Sequence, residues 1–299
     1  MIFKNVLTAL ITPFSYDKLD LATLEHLIDR QIDASIDGIV VGGSTGEGNL
    51  LSTDEYYKLI SHSVRHSNKN IPIIAGFTAA STTDAILKTK KLCDLGVNGL
   101  MATAPHYIKP EQVGLFEHFK SINDASNVPI MIYIHPPRTG CNLSDDILVK
   151  LAELDQIAAV KDASDDLEKP LRILPQLNTK FNLLTGNDTS TLSYSANGGS
   201  GVVSVISNIA PKICKNLYNL WCNGNFTDAL QLQQKLMPPI TSIFAQSNPI
   251  GIKYASSKMN LCKNYVRPPL TIANNDTMQK IDKELFKLMK PRVMSLVIF

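Results

Sequence analysis

An apolar run, Ile157-Ala158-Ala159-Val160, leads directly into Lys161. Upstream, a similar run from Pro129 to Ile134 carries Tyr133 near its end. An amine leaving a buried strand is partly desolvated, which penalises its charged form and lowers its pKa. Such an amine can attack a carbonyl to form an imine, and a nearby phenol can move the protons that step requires. The same pattern also fits a lysine whose stem lies along apolar surface while its ammonium stays in water. Neither residue decides the matter alone.

Other segments of this kind follow apolar runs. Gly42-Gly43-Ser44-Thr45-Gly46-Glu47-Gly48 sets two hydroxyls in a glycine-rich turn whose amides can approach an anion, or it is an ordinary strand-to-helix turn. It lacks the Lys-Ser/Thr ending of a nucleotide-phosphate loop. Tyr107 follows Ala104-Pro105-His106 and also suits a packed aromatic with a satisfied hydroxyl. In Pro136-Pro137-Arg138-Thr139-Gly140 the prolines stiffen a loop, and Arg138 becomes a fixed fork suited to a carboxylate, or a surface arginine beside a turn. Thr185-Gly186-Asn187-Asp188 and the glycine-rich stretch before Val202-Val203-Ser204 let backbone approach a ligand closely. His62 and His66 share a helix face but lack the glutamate of a zinc-protease motif, and read as solvated.

The elements that must position these residues recur regularly. Eight short runs read as strands: 6–11, 38–41, 71–75, 99–102, 129–134, 157–160, 182–184 and 202–206. Helix-start signals lie between them, including the capping box of Ser52-Thr53-Asp54-Glu55, Pro110 at a first helical position, and the Ser144 cap before Asp145-Asp146. Alternation of this kind predicts an α/β fold, a (β/α)8 TIM barrel, rather than an open doubly wound sheet, since no G-x-G-x-x-G follows the first strand. From about Ala210 only helices are expected (213–221, 226–244, 251–258 and 277–288), punctuated by Pro238-Pro239 and Pro268-Pro269. The expected division is a barrel over 1–224 carrying the site, with a C-terminal helical extension over 225–299 packed on it.

Composition narrows the partners. A net charge of +2 with mixed signs gives no basic surface for nucleic acid or membrane. Five scattered cysteines without a C-x-x-C pair argue against a disulfide framework and suit a reducing compartment. No run approaches the roughly 20 apolar residues of a membrane span, and the run before Thr12-Pro13 lacks a signal-peptide cleavage site. A soluble, cytoplasmic protein is expected.

Taken together, Gly43-Ser44-Thr45-Gly46-Glu47, the segment Tyr133-x-x-Pro136-x-Arg138-Thr139-Gly140 and the strand lysine Lys161 closely resemble the pyruvate-dependent Schiff-base aldolase family, which contains dihydrodipicolinate synthase and N-acetylneuraminate lyase. The resemblance runs along nearly the whole chain. It implies that Lys161 condenses with the ketone of pyruvate, that Tyr133 shuttles protons, and that Ser44 and Tyr107 complete a relay, Tyr107 reaching in from a neighbouring subunit. It further implies that Thr45 holds the pyruvate carboxylate, helped by backbone near Gly186 and the carbonyl of Val203. No metal or organic cofactor is needed on this reading, and a homotetramer is expected. The family's synthases carry an arginine at Arg138 for the carboxylate of L-aspartate 4-semialdehyde, whereas the sugar-acid lyases typically do not. The expected activity is therefore condensation of these two substrates in lysine and diaminopimelate biosynthesis, with N-acetylneuraminate lyase or another sugar-acid aldolase as the alternative. Two departures stand out. Ser44-Thr45 replaces the usual threonine pair of the synthases. Gly48, Asn49, Ala80, Asp84 and His106 stand where lysine-inhibited synthases commonly show serine, alanine, asparagine, glutamate and tyrosine, so weak or absent feedback by lysine is expected.

Overall fold

A computed structural model describes residues 2–178 and 180–288. The chain begins with β1 (Asn5–Ala9) and a small antiparallel hairpin, β2 (Phe14–Ser15) with β3 (Lys18–Leu19). There follow β4 (Gly38–Val41), β5 (Ile73–Phe77), β6 (Gly99–Thr103), β7 (Ile130–Ile134), β8 (Ile157–Asp162), β9 (Asn182–Thr185) and β10 (Gly201–Ser204). These seven and β1 form a closed parallel barrel in which β1 lies between β4 and β10. Helices surround it, as the alternating pattern predicts.

The differences at strand ends have local causes. The third barrel strand starts at Ile73, not Ile71, because Pro72 has no amide to donate and only its carbonyl joins the ladder, accepting from Ile39 N at 2.9 Å. The last strand stops at Ser204 because the next two amides turn away: Val205 N and Ile206 N donate to Asp188 Oδ2 at 2.9 and 3.0 Å. Most consequential is β8. It does not end at Val160 but continues through Lys161 and Asp162, with Lys161 in register with Tyr133 on one side and Leu184 on the other. The lysine is a barrel residue rather than a terminal one.

The serine caps behave as their side chains dictate, whereas the helix expected to open on Pro110 begins at Gln112 after a Glu111 cap position. Ser52 Oγ accepts from Glu55 N while Glu55 Oε2 accepts from Ser52 N, satisfying two otherwise free amides at the start of Thr53–Ser67. That helix buries Tyr56, Leu59 and Ile60 against the barrel. Each such side chain contributes roughly 1.5–3 kcal/mol, and Leu59→Ala would cost about 2–5 kcal/mol through the cavity left behind.

The C-terminal part comprises helices Pro211–Cys222, Phe226–Ile243, Ile250–Lys258 and Asn275–Leu288; residues 289–299 of the expected extension lie outside the described ones. Pro238-Pro239 does not break the second of these helices, which runs through both prolines. Packing outweighs the two lost amide bonds: Leu236, Pro239 and Ile240 are all buried there. This part is tied to the barrel by polar bonds as well. Arg267 N donates to Glu47 Oε2 at 2.7 Å, and its guanidinium pairs with Glu55 at 2.6 Å.

Candidate active site

The strand register places Lys161 beside Tyr133 on adjacent strands, with the lysine Nζ 3.9 Å from the centre of the phenol ring. Both are buried, at 5 % and 6 % exposure. Burial is the main influence on the amine and pulls its pKa down to about 7; Asp188 opposes that and Arg138 adds to it. Burial likewise raises the Tyr133 phenol well above its ordinary range. The next residue in the strand, Asp162, projects to the opposite face, where its carboxylate is committed. Its Oδ2 pairs with Lys169 Nζ at 2.9 Å and its Oδ1 accepts from Ser164.

Lys161 and Tyr133 open into a cavity of about 610 Å³ shared with Thr45, His135, Arg138 and Gly186. Thr45 Oγ1 accepts from Asn248 Nδ2 at 2.8 Å, which leaves the threonine O–H free to donate to a ligand. Arg138 stands on a helical turn, Pro136–Thr139, and is steadied by one bond from Nη2 to the Asn248 carbonyl at 3.0 Å. The guanidinium lines the cavity with its other N–H groups left over for an anion. Gly186 is required for space: a Cβ there would sit 2.8 Å from Ala163 Cβ and 3.0 Å from Lys161 Cε. Its amide already donates to Asp162 O at 2.6 Å, so the residue offers room and a carbonyl rather than a free donor.

Five of the eight sequence candidates thus share one cavity: Lys161, Tyr133, Thr45, Arg138 and Gly186. Ser44 is half-buried in the preceding turn and Val203 is fully buried in β10, with Val205 lining the cavity instead. Tyr107 is 90 % exposed with a left-handed φ of 75°, away from the cavity of its own chain. Gly42-Gly43-Ser44-Thr45-Gly46 also spells the G-x-S-x-G of a hydrolase elbow. Among the described residues, however, no imidazole bonds to Ser44, so the nucleophile-base pair of that motif is missing.

Sequence reasoning missed several contributors. Asp188 is a buried carboxylate whose pKa is raised, chiefly by burial, against the bonds it accepts from Ser204, Ile206 and Val205. Asn248 comes from the C-terminal part, where an Asn-Pro pair between helices gives no hint of the barrel mouth. Glu47 carried a signal: an acidic residue in a glycine turn, here left-handed at φ 56° and fully buried in an ion pair with Lys253 at 2.8 Å. Gly48 makes that turn possible, because any Cβ on it would collide with the Gly42 carbonyl.

Known proteins share this arrangement's framework. Residues 2–288 match the dihydrodipicolinate synthetase family. The 4-hydroxy-tetrahydrodipicolinate synthase of Rickettsia rickettsii is 45% identical over 287 residues, which cover 96% of this chain and 98% of that protein. The structure of the 4-hydroxy-tetrahydrodipicolinate synthase from Methylacidiphilum fumariolicum superposes with a TM-score of 0.95 at 32% identity, covering 99% of this chain and 98% of that one. A dihydrodipicolinate synthase from Acinetobacter baumannii, solved in complex with pyruvate, gives 0.91 at 34% identity, covering 95% and 98%. This chain therefore belongs to the dihydrodipicolinate synthetase family.

Proposed function

We propose that the protein joins pyruvate to L-aspartate 4-semialdehyde through an imine on Lys161, giving 4-hydroxy-tetrahydrodipicolinate on the route to diaminopimelate and lysine. One observation carries the reading. The Lys161 amine is buried, is held near neutrality, and among the described residues has no carboxylate within ion-pairing distance. At neutral pH a large fraction of it is the free amine that a ketone requires.

The steps follow from the positions of the groups. Thr45 donates its hydroxyl to the pyruvate carboxylate, with Gly186 leaving room beside the lysine and the Val203 carbonyl nearby in β10. Lys161 Nζ bonds to the ketone carbon, and Tyr133 passes protons as water departs. Loss of a methyl proton then gives an enamine, whose carbon attacks the aldehyde. Arg138 holds the aldehyde's carboxylate through a charge-assisted contact of roughly 1.5–3 kcal/mol, which disfavours a neutral sugar partner. The names of the relatives support the same choice of substrates.

Ser44 and Tyr107 complete the proton relay to solvent across a subunit contact. The exposed, left-handed Tyr107 fits a residue that serves a neighbour's site better than its own, and the assembly is a homotetramer working in the cytoplasm. The test is direct: incubate with pyruvate, reduce with borohydride and map the label by mass spectrometry. A three-carbon adduct at Lys161 is expected. Labelling elsewhere, or none, refutes the mechanism.

A further inference from the structure

His135 lies in the same cavity as Lys161, Tyr133 and Arg138 but has no part in the steps above. Its ring meets the Tyr133 ring edge-on, with centres 5.7 Å apart and planes at 80°. Among the described residues its Nδ1 is buried without a hydrogen-bond partner. That leaves Nε2 as the ring nitrogen that a ligand in the cavity can reach. Its backbone fixes it relative to the anion fork: the His135 carbonyl accepts from Arg138 N at 2.9 Å and from Thr139 N at 3.1 Å. The backbone of the two residues is thus held in one turn and both side chains line the cavity, so a ligand whose carboxylate is held by Arg138 can offer its adjacent carbon to His135.

In the amino acid aldehyde of the proposed reaction, that carbon bears the α-ammonium group. We propose that His135 is the base that binds this ammonium and removes its proton for ring closure, a role that rests on the imine reading of Lys161. After the carbon–carbon bond forms, His135 takes one proton from the ammonium. The freed amine bonds to the carbon of the protonated imine, and the imidazolium passes its proton to Lys161 Nζ. The surplus proton on the ring nitrogen then moves to His135, which returns it to solvent, the carbon–Nζ bond breaks, and a protonated cyclic imine leaves with Lys161 restored as a neutral amine. Empty, the site keeps the imidazole neutral, its pKa pushed down to about 4 by burial and then by Arg138 and Lys161, with its own backbone and then Asp165 opposing. Substrate weakens both cationic influences, because Arg138 becomes paired with a carboxylate and Lys161 is consumed as the enamine. The imidazole therefore becomes more basic when the proton must move.

The experiment compares wild type with His135→Asn, which keeps the size and polarity but not the basicity. Borohydride labelling by pyruvate alone should proceed at the same rate in both, which also shows that the variant folds. Turnover with aspartate semialdehyde should fall at least about tenfold, where loss of an acid-base group typically costs about a hundredfold or more. Borohydride added during turnover should then trap on Lys161 an adduct carrying both carbon skeletons. Adduct formation with succinate semialdehyde, which has no amine to deprotonate, should be equal in the two proteins. Turnover within threefold of wild type without the double adduct, or equal loss with both aldehydes, overturns the role of His135. No pyruvate label on wild-type Lys161 defeats the imine reading and this proposal with it.

Discussion

Two buried lysines in this molecule meet opposite fates. Lys253, from the helix Ile250–Lys258, is fully buried, pairs with Glu47 at 2.8 Å, donates to the Tyr265 carbonyl at 2.9 Å and lies 4.4 Å from the centre of the Phe14 ring. Lys161 is nearly as buried and has the face of a phenol but no carboxylate in contact. Burial lowers both pKa values, and Glu47 opposes it for Lys253 by contact and hydrogen bond, whereas Asp188 acts on Lys161 only through space. A low-dielectric pocket thus makes either a fixed cation or a nucleophile, according to whether a carboxylate is supplied. Asp162, the neighbour along the strand, points to the opposite face and pairs with Lys169 instead.

The sharpest way to break the comparison is to exchange the chemistry at the unpaired site. Lys161→Arg keeps a cation but offers no amine of usable pKa, so borohydride labelling should vanish and turnover should fall by three orders of magnitude or more, on the order of 4 kcal/mol in the barrier. Lys161→Met should also remove activity while stabilising the fold at neutral pH. The sign follows from proton binding. Between about pH 7 and 10.5 the unfolded lysine is protonated while the folded one is losing its proton, so the native state binds fewer protons. Stability associated with this residue therefore rises with pH across that window; its penalty is complete below about 7 and absent above 10.5. Thermal melts of variant and wild type should differ most near pH 7 and converge by pH 10.5.

At the paired site the same substitution should act the other way. Lys253→Met leaves Glu47 buried without its cation, and such losses typically cost about 3–5 kcal/mol. Because Glu47 sits two residues from Thr45, the pyruvate KM should rise as well. Urea denaturation together with pyruvate titration would show both effects. Equal stability in Lys253→Met and wild type would remove the distinction between the two lysines.

Arg138 tests the cavity's second half. Arg138→Gln should raise KM for aspartate semialdehyde ten- to a hundredfold, the equivalent of about 1.5–3 kcal/mol, while pyruvate labelling of Lys161 stays unchanged. A matching rise in the pyruvate KM would mean that the arginine serves the whole cavity rather than one carboxylate.

How far these sites could be read from the chain depends on distance along it. The eight strands and the capped helices were legible because periodicity and caps are local signals; Ser52 and Glu55 bond as their spacing requires. That Lys161, Tyr133, Thr45, Arg138 and Gly186 share one cavity was legible because strand ends of a barrel converge. Asn248, Lys253 and Arg267 were not, since they reach the barrel mouth from the C-terminal part and no local pattern announces a contact some 200 residues away. Pro238-Pro239 misled for the related reason that tertiary packing overrode a local breaker.

A third lysine gives the smallest effect and completes the series. Gly48, Asn49, Ala80, Asp84 and His106, the positions behind the expectation of weak feedback by lysine, line a cavity of about 300 Å³. Lys88 lines it too, paired with Asp84 at 2.9 Å and donating to the Thr78 carbonyl at 3.0 Å, and Asn49 Oδ1 already accepts from the Thr78 hydroxyl. An incoming amino acid would meet a resident ammonium and find three acceptors in use. Because Lys88 is partly exposed, its pair with Asp84 is worth no more than about 1 kcal/mol, so the obstacle is occupancy and like charge rather than rigidity. Lysine at millimolar concentration should therefore lower turnover by less than about twofold, a margin of roughly 0.4 kcal/mol. In Lys88→Ala, which frees Asp84 for the ligand, inhibition should become measurable. Strong inhibition of the wild-type protein would mean that a resident cation does not close such a cavity, and that pairing with a carboxylate decides a lysine's role only where water is excluded.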